Sequence, residues 1–371
     1  MRAPAVHPIV IAAGGTGGHF FPAEALATEL IARGQRVALM TDVRSGGLQS
    51  PVFAGLEQFV ISGAGIAGRS AVGAGKAAAA LTAGVLQARA ILSRLHAAVV
   101  VGFGGYPCVA PVLATLLMLQ RPTLILHEQN AVLGRANRWL ARRADMLALS
   151  FPATRRVPEN AATVVTGNPV RPAIAALAAR PYAPPTDTLR LLVLGGSLGA
   201  RVFSDVVPPA LAGLPDDLRS RLSVVQQCRA EDLTRVEAAY ASAGIEADLA
   251  AFFPDMAARL AAAHLVIARA GASTVAELAI AGRPSILVPL PGAIDDHQTA
   301  NASAFVEARG ASVIAQRDFS PEALRECLGA LFAAPDMLAH AALAARGIAR
   351  SDATARLADL VEDLMRQEVR P

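Results

Sequence analysis

His7-Pro8-Ile9-Val10-Ile11-Ala12-Ala13 runs directly into Gly14-Gly15-Thr16-Gly17-Gly18-His19, and a helical pattern follows over about residues 22–33. Residues 189–194 repeat the layout: a run apolar but for Arg190 enters Gly195-Gly196-Ser197-Leu198-Gly199-Ala200-Arg201, and a second helical pattern begins near Val202. A largely apolar run bounded by glycine reads as a strand buried on both faces, as strands of parallel sheets are. Two such strand, glycine-loop, helix openings predict an α/β chain of two Rossmann-like, doubly wound parallel-sheet domains. The first domain is expected over residues 1–172 and the second over 189–350. A proline-rich linker (Pro181, Pro184, Pro185) is expected over 173–188, and an amphipathic terminal helix over 351–371, placed to cap either domain.

Composition agrees with this division. At 371 residues the chain exceeds one ordinary core. Its 53% hydrophobic and 4% aromatic content implies a core of Ala, Leu and Val. The net charge of +4 is unevenly spread. Residues 1–175 hold 16 Lys and Arg against 7 Asp and Glu, and the remainder 18 against 23, so the first half is basic and the second mildly acidic. Basic surface favours anionic partners: phosphate, nucleic acid or a negatively charged membrane. Cys108, Cys228 and Cys327 lie far apart without CxxC or Cys/His spacing, which argues against structural zinc or a disulfide framework. Residues 99–119 are long and uncharged, but Gly102, Gly104, Gly105, Pro107 and Pro111 divide them into strand, loop and helix. With no signal-peptide layout at the amino terminus, the chain reads as soluble and cytoplasmic.

The polar residues follow the strands. Neither glycine loop has GxGxxG spacing, and no convincing ribose-binding acid stands about twenty residues on, which disfavours a dinucleotide cofactor; Asp42, after Ala38-Leu39-Met40-Thr41, falls somewhat later and does not by itself exclude one. Glycines there let backbone N–H groups approach a diphosphate at a helix start; close strand–helix packing would use the same residues. A third glycine turn, Gly102-Phe103-Gly104-Gly105-Tyr106-Pro107, ends another strand, and the next delivers His127-Glu128-Gln129-Asn130. Gly167-Asn168-Pro169-Val170-Arg171 closes the half, where Arg171 reads as a ligand contact or as a surface cation. In the second half, Ala268-Arg269-Ala270-Gly271-Ala272-Ser273-Thr274-Val275-Ala276-Glu277 and then Asp295-Asp296-His297-Gln298 follow apolar strands. Ligands of open α/β sheets bind beyond the carboxyl ends of such strands, so these residues predict a nucleotide or sugar site.

Taken in order, these elements resemble the bacterial MurG family, the glycosyltransferases that make lipid II from lipid I. The resemblance covers nearly the whole chain: the loops at 14–19 and 102–107, 127–130 with Ala136-Asn137-Arg138, 167–171, 195–201, and Phe253-Pro254-Asp255-Met256 through Gln298-Thr299-Ala300-Asn301-Ala302. It implies a GT-B fold whose two domains face across a cleft, and UDP-GlcNAc as donor. By carry-over, backbone at Phe253 meets the uracil and Glu277 the ribose. Ala272, Ser273 and Thr274 with Ser197 hold the diphosphate, and Gln298 with His297 the GlcNAc. Thr16, Gly17, Gly18, Asn130 and Arg171 complete the substrate site from the first domain. Tyr106 and His127 fall on the acceptor side. Two positions depart from the family. Gln227-Cys228-Arg229 stands where a Gln-x-Gly turn is usual, and Ala67, within Gly65-Ile66-Ala67-Gly68-Arg69, replaces a basic residue.

The implied reaction is inverting displacement at the GlcNAc anomeric carbon by the 4-hydroxyl of MurNAc, with UDP leaving. A sugar hydroxyl needs a base, and His19, at the glycine-loop end, is the first choice; His127 and Glu128 come second. With no Asp-x-Asp motif, the leaving diphosphate falls to helix N-termini, backbone N–H groups and Arg171 or Arg269, with no metal and no cofactor. A lipid-linked acceptor implies a peripheral enzyme on the cytoplasmic face of the inner membrane, with no nucleic acid among its partners and other cell-wall synthesis proteins as possible ones. Lys76, Arg89 and Arg94, interleaved with Leu81, Val85, Leu86, Ile91 and Leu92, and the apolar stretch 112–119 form the expected surface for an anionic bilayer. The rivals are a diacylglycerol glycosyltransferase, a UDP-GlcNAc 2-epimerase, a non-catalytic nucleotide-sugar-binding scaffold and, least favoured, an NAD-dependent oxidoreductase.

Overall fold

A computed structural model describes residues 7–14, 17–42, 50–63, 71–196 and 199–368. The chain divides into two compact units, Met1–Arg171 with Asp352–Pro371, and Pro172–Ser351. The expectations placed on Thr16, on Ser197 and on the loop containing Ala67 lie outside the described residues.

The first unit is built on seven parallel strands: β1 (Ile9–Ala12), β2 (Val37–Asp42), β3 (Glu57–Ile61), β4 (Val99–Gly102), β5 (Thr123–Glu128), β6 (Met146–Leu149) and β7 (Thr163–Val165). Their order is β3-β2-β1-β4-β5-β6-β7, so the winding direction reverses between β1 and β4, which pair from Ile9↔Val99 to Ala12↔Gly102. The second unit has six: β8 (Leu189–Leu194), β9 (Leu222–Gln227), β10 (Glu246–Ala250), β11 (Leu265–Ala268), β12 (Ser285–Leu287) and β13 (Ala311–Val313). Their order, β10-β9-β8-β11-β12-β13, reverses between β8 and β11. In each sheet the carboxyl edge at this reversal is where the loops splay apart and a ligand can enter.

Side chains alternate across a strand, and the alternation assigns the helices. Ile9, Ile11, Val99 and Val101 face one layer, and Val10, Val100, Leu124 and Leu126 the other. The first layer holds helix α1 (Gly17–Ala32) through Phe20, Leu26 and Leu30. The second holds α2 (Ala71–Leu95) through Val85, Leu92 and Leu95, with α3 (Tyr106–Leu116) packed along it. A short α4 (Arg135–Leu140) follows β5. In the second unit, α5 (Arg201–Ala212), α6 (Ala272–Ala281) and α7 (His297–Glu307) follow β8, β11 and β12.

The segment expected as a linker is structured. Pro172–Ala175 and Ala176–Ala179 are short helical turns whose Ile174 and Leu177 are buried, and they pack on α6 of the second unit. Arg346 fastens them by donating to the carbonyl of Ala178 at 2.9 Å. The same arginine crosses Gly282, whose φ of 60° ends α6; a Cβ there would stand 2.3 Å from Arg346 Nε, so only glycine fits. The last helix, α8 (Ala353–Glu368), belongs to the first unit: Leu357, Ala358 and Val361 are fully buried in the layer that holds α1. Arg33 reaches Asp359 at 2.6 Å and Glu362 at 3.1 Å, and Gln35 reaches Glu362 at 2.8 Å.

Among the described residues no single helix is long and apolar enough to cross a bilayer. The helices Pro321–Ala333 and Pro335–Gly347 meet that test only jointly; they are bent by 95° and bury Leu324, Leu328 and Leu338 in the second unit's core.

Candidate active site

In the first unit the carboxyl ends of β1, β4 and β5 bring their polar residues together. His19 stands on the first turn of α1, half-buried, with Nδ1 3.1 Å from Gln129 Oε1. Its imidazole lies along the glycine turn after β4. A Cβ on Gly104 would come 3.6 Å from Nδ1 and one on Gly105 3.4 Å from Nε2, and both glycines hold φ in the left-handed region, at 81° and 71°. Side chains at these two positions would strain the backbone, and their Cβ atoms would lie in van der Waals contact with the ring.

Gln129 and His127 share one face of the strand that delivers them. Gln129 Nε2 donates to the Phe103 carbonyl at 2.9 Å and lies 3.1 Å from His127 Nδ1, and His127 Nε2 is 3.0 Å from the Gly167 carbonyl. Burial pushes the His127 imidazole down to about 4, against a smaller opposing effect from the Gly167 carbonyl, so it is neutral at physiological pH. With no exposure and both ring nitrogens occupied, His127 offers neither the acceptor contact nor the base placed on it from sequence.

Glu128, on the opposite face, organises the loop. Oε1 accepts from the N–H and Nδ2 of Asn130 at 3.0 and 3.1 Å, and Oε2 from Gly134 N–H at 2.8 Å and Asn137 Nδ2 at 3.0 Å. A buried carboxylate with four donors is a scaffold, which removes it as a second choice of base. It does fix Asn130 at the edge. Arg171 joins the same end of the unit by stacking 5.0 Å from the ring of Phe21, two residues after His19. Tyr106 opens α3 and is 46% exposed. Gly17 and Gly18 form the first turn of α1, Gly18 being exposed. Gln129 and Asn137 carried no assignment from sequence; the signal for Gln129 was available, since residues 127 and 129 must lie on one strand face.

In the second unit the edge is made of backbone. Gly271 caps α6, and the N–H groups of Ala272, Ser273 and Thr274 occupy its first turn, where they have no partners inside the helix. The Ser273 hydroxyl beside them is buried without a hydrogen-bond partner. Glu277 lies one turn further along the same helix, half-buried. Arg269 does not serve this edge: its guanidinium is buried, donating to the carbonyls of Val288 and Pro289 at 3.0 and 3.1 Å and to Gln316 Oε1 at 2.6 Å. Burial lowers its affinity for the proton, and the three acceptors occupy the group expected to meet phosphate.

After β12 the chain passes through Asp295 and Asp296, both with positive φ (56° and 53°), into α7. Non-glycine residues rarely hold that conformation, and a consecutive pair persists only where the surroundings enforce it. Asp296 Oδ1 accepts from Thr299 at 2.8 Å, and His297 Nδ1 sits 2.8 Å from the Ile294 carbonyl. Gln298 Oε1 accepts from Leu290 N–H at 2.9 Å, which presents its amide nitrogen as a donor. Phe253, after β10, is buried under the Arg259 guanidinium at 3.9 Å, while Phe252 beside it is 65% exposed.

Two parallel-sheet Rossmann-like units of this kind are the architecture of the GT-B fold. Residues 9–149 match the glycosyltransferase family 28 N-terminal domain and residues 190–364 its C-terminal domain. The chain is 62% identical over 363 residues (97% of this chain, 94% of the relative) to the UDP-N-acetylglucosamine–N-acetylmuramyl-(pentapeptide) pyrophosphoryl-undecaprenol N-acetylglucosamine transferase of Granulibacter bethesdensis. It is 53% identical to the protein of the same name from Acidiphilium cryptum, over 100% of both chains. The crystal structure of Acinetobacter baumannii MurG superposes with a TM-score of 0.77 at 32% identity, covering 96% of this chain and 99% of that one. A UDP-N-acetylglucosamine 2-epimerase structure from Listeria monocytogenes shares the fold alone, at 15% identity and a TM-score of 0.67. The chain belongs to the MurG family of family 28 glycosyltransferases.

Proposed function

We infer that the chain transfers GlcNAc from UDP-GlcNAc to the 4-hydroxyl of MurNAc in lipid I, giving lipid II and UDP. The observation that carries this reading is identity of 52–62% to transferases of that name along essentially the entire chain. The acceptor oxygen bonds to the anomeric carbon from the face opposite the diphosphate. The bond from that carbon to the β-phosphate oxygen breaks, UDP leaves with the electron pair, and the hydroxyl proton passes to His19. On the donor unit, the N-terminus of α6 with Ser273 takes the diphosphate and Glu277 the ribose. Phe253 meets the uracil through its backbone, and Gln298 donates to a sugar hydroxyl beside His297. Tyr106, Asn130 and Arg171 serve from the first unit.

Lipid I is membrane-bound, and the membrane-facing surface is proposed on α2, where Lys76, Arg89 and Arg94 are exposed. The apolar half of that surface differs from the sequence expectation. Val85 and Leu92 are core residues, and Leu86 with Leu117 and Leu119, beyond the end of α3, are the exposed apolar side chains. The protein then works as a peripheral enzyme at the cytoplasmic face of the inner membrane.

Release of UDP from UDP-GlcNAc, with and without lipid I, tests the activity. Release only with the lipid supports the transferase; release without it would indicate an epimerase or hydrolase, and none a binding scaffold. His19→Ala is expected to lower kcat by about 10²–10⁴-fold, the usual contribution of a positioned base.

A further inference from the structure

We propose that Gln129 is a positioning residue for the transfer, fixing on which nitrogen His19 carries its hydrogen. The proposal rests on the reading of His19 as base and adds the group that makes its Nε2 the basic atom.

Two backbone carbonyls, which can only accept, set the direction of the network. Phe103 O faces one side chain of the network and Gly167 O another. The Gln129 atom 2.9 Å from Phe103 O must therefore be the amide nitrogen, because an oxygen there would set lone pair against lone pair. The His127 atom facing Gly167 O must likewise bear hydrogen. A neutral His127 protonated on Nε2 has its lone pair on Nδ1, where it accepts the second amide hydrogen of Gln129. The carboxamide is thus held at its nitrogen by two acceptors, a carbonyl of the turn after β4 and a ring nitrogen on β5, and its oxygen is left facing His19 Nδ1 at 3.1 Å. An amide oxygen only accepts, so Nδ1 carries the hydrogen and the lone pair of a neutral His19 lies on Nε2.

That nitrogen lies beside Gly105, on the side of the ring away from Gln129. The network has one direction throughout, and reversing the amide would create two unfavourable contacts at once. Gln129 is itself 2% exposed, and it acts through His19. Without it the imidazole would distribute its hydrogen between both nitrogens and could rotate, so that part of the population would present an N–H where the acceptor hydroxyl needs a lone pair.

The wild-type protein with ring-15N histidine gives the test, by long-range 1H–15N correlation, with the His19 signals assigned by their absence from His19→Asn. Hydrogen on Nδ1 of neutral His19 supports the proposal, and hydrogen on Nε2 overturns it. Gln129→Met keeps the bulk and removes both hydrogen-bonding functions. It is expected to lower kcat by about 10- to 100-fold while leaving the KM for UDP-GlcNAc within about twofold, with an Nε2-protonated form of His19 appearing in its spectrum. Unchanged kcat together with an unchanged His19 tautomer would overturn the proposal. Should the variant fail to fold, the wild-type spectrum decides alone. Full turnover by His19→Ala would remove the base assignment and the proposal with it. An inactive His19→Ala combined with an Nε2-protonated wild-type His19 would overturn the proposal and leave the base assignment standing.

Discussion

At the carboxyl edge of the first sheet, side chains are bound to one another; at the carboxyl edge of the second, backbone groups stand ready for a ligand. His19, Gln129, His127, Glu128, Asn130 and Asn137 are joined by hydrogen bonds of 3.0–3.1 Å. In the second unit the first-turn N–H groups of α6 and the buried Ser273 hydroxyl face no partner from the helix itself, and the nearby arginine is turned inward. The two sheets have matching strand order around their reversal points, so the difference comes from the loops. A site that must move a proton needs side chains of fixed tautomer and direction. A site that must neutralise a diphosphate does well with dipoles that need no reorganisation. The contrast fits one unit handling the nucleophile and the other the leaving group.

The largest expected effect falls on the side-chain edge. Glu128→Ala would remove the acceptor of four hydrogen bonds from buried or half-buried donors and should lower the unfolding free energy of the first unit by about 4 kcal/mol, read by urea denaturation. A loss under about 1 kcal/mol would mean that the loop does not depend on this carboxylate. Next comes Arg269→Met in the second unit, which strands two backbone carbonyls and Gln316 Oε1. A cost of about 3 kcal/mol in stability is expected, with the KM for UDP-GlcNAc changed less than about threefold in folded protein. A large rise in KM at unaltered stability would return this arginine to the diphosphate site.

His127 supplies a pH dependence of similar size. Its folded value of about 4 lies below the ordinary 6.5, so the unfolded chain binds the proton more readily. The stability is fully present above pH 6.5 and is lost as pH falls toward 4, by up to about 3 kcal/mol. Comparing urea unfolding at pH 7 and 4.5 for wild type and His127→Asn isolates this part, and the variant should lose less. An equal loss in both would show that His127 is not neutral by burial. The smallest effect is Ser273→Ala at the backbone edge. There the helix N–H groups remain, and the KM for UDP-GlcNAc should rise only about threefold, roughly 0.7 kcal/mol.

The sheets were legible because their cause is local: apolar runs of four to six residues ending in glycine admit few other readings. The glycine turn at 102–107 was legible as a turn, but its position along the His19 ring was not, because that contact joins residues far apart in the chain. Arg269 read as a phosphate ligand because its position after β11 is right; its inward rotamer depends on Val288, Pro289 and Gln316, which sequence order cannot point toward it. Helix α2 read as a membrane face because period 3.6 reports an apolar stripe without saying what covers it, and Val85 and Leu92 are covered by the sheet. The residues 173–188 read as a linker from their prolines, whereas the two apolar side chains ahead of those prolines, Ile174 and Leu177, give the first part of the segment its place in the second unit.

Helix α8 gives the molecule an unusual order of completion. The chain leaves the first unit at Arg171 and re-enters it at Asp352, so the half that emerges from the ribosome first is the last to acquire all its parts. Until residues 353–368 are synthesised, the layer around Phe20, Leu26 and Leu30 lacks the cover of Leu357, Ala358 and Val361, and Arg33 lacks two of its carboxylates. The nascent amino-terminal half therefore waits, with an apolar groove open, through the translation of an entire second unit.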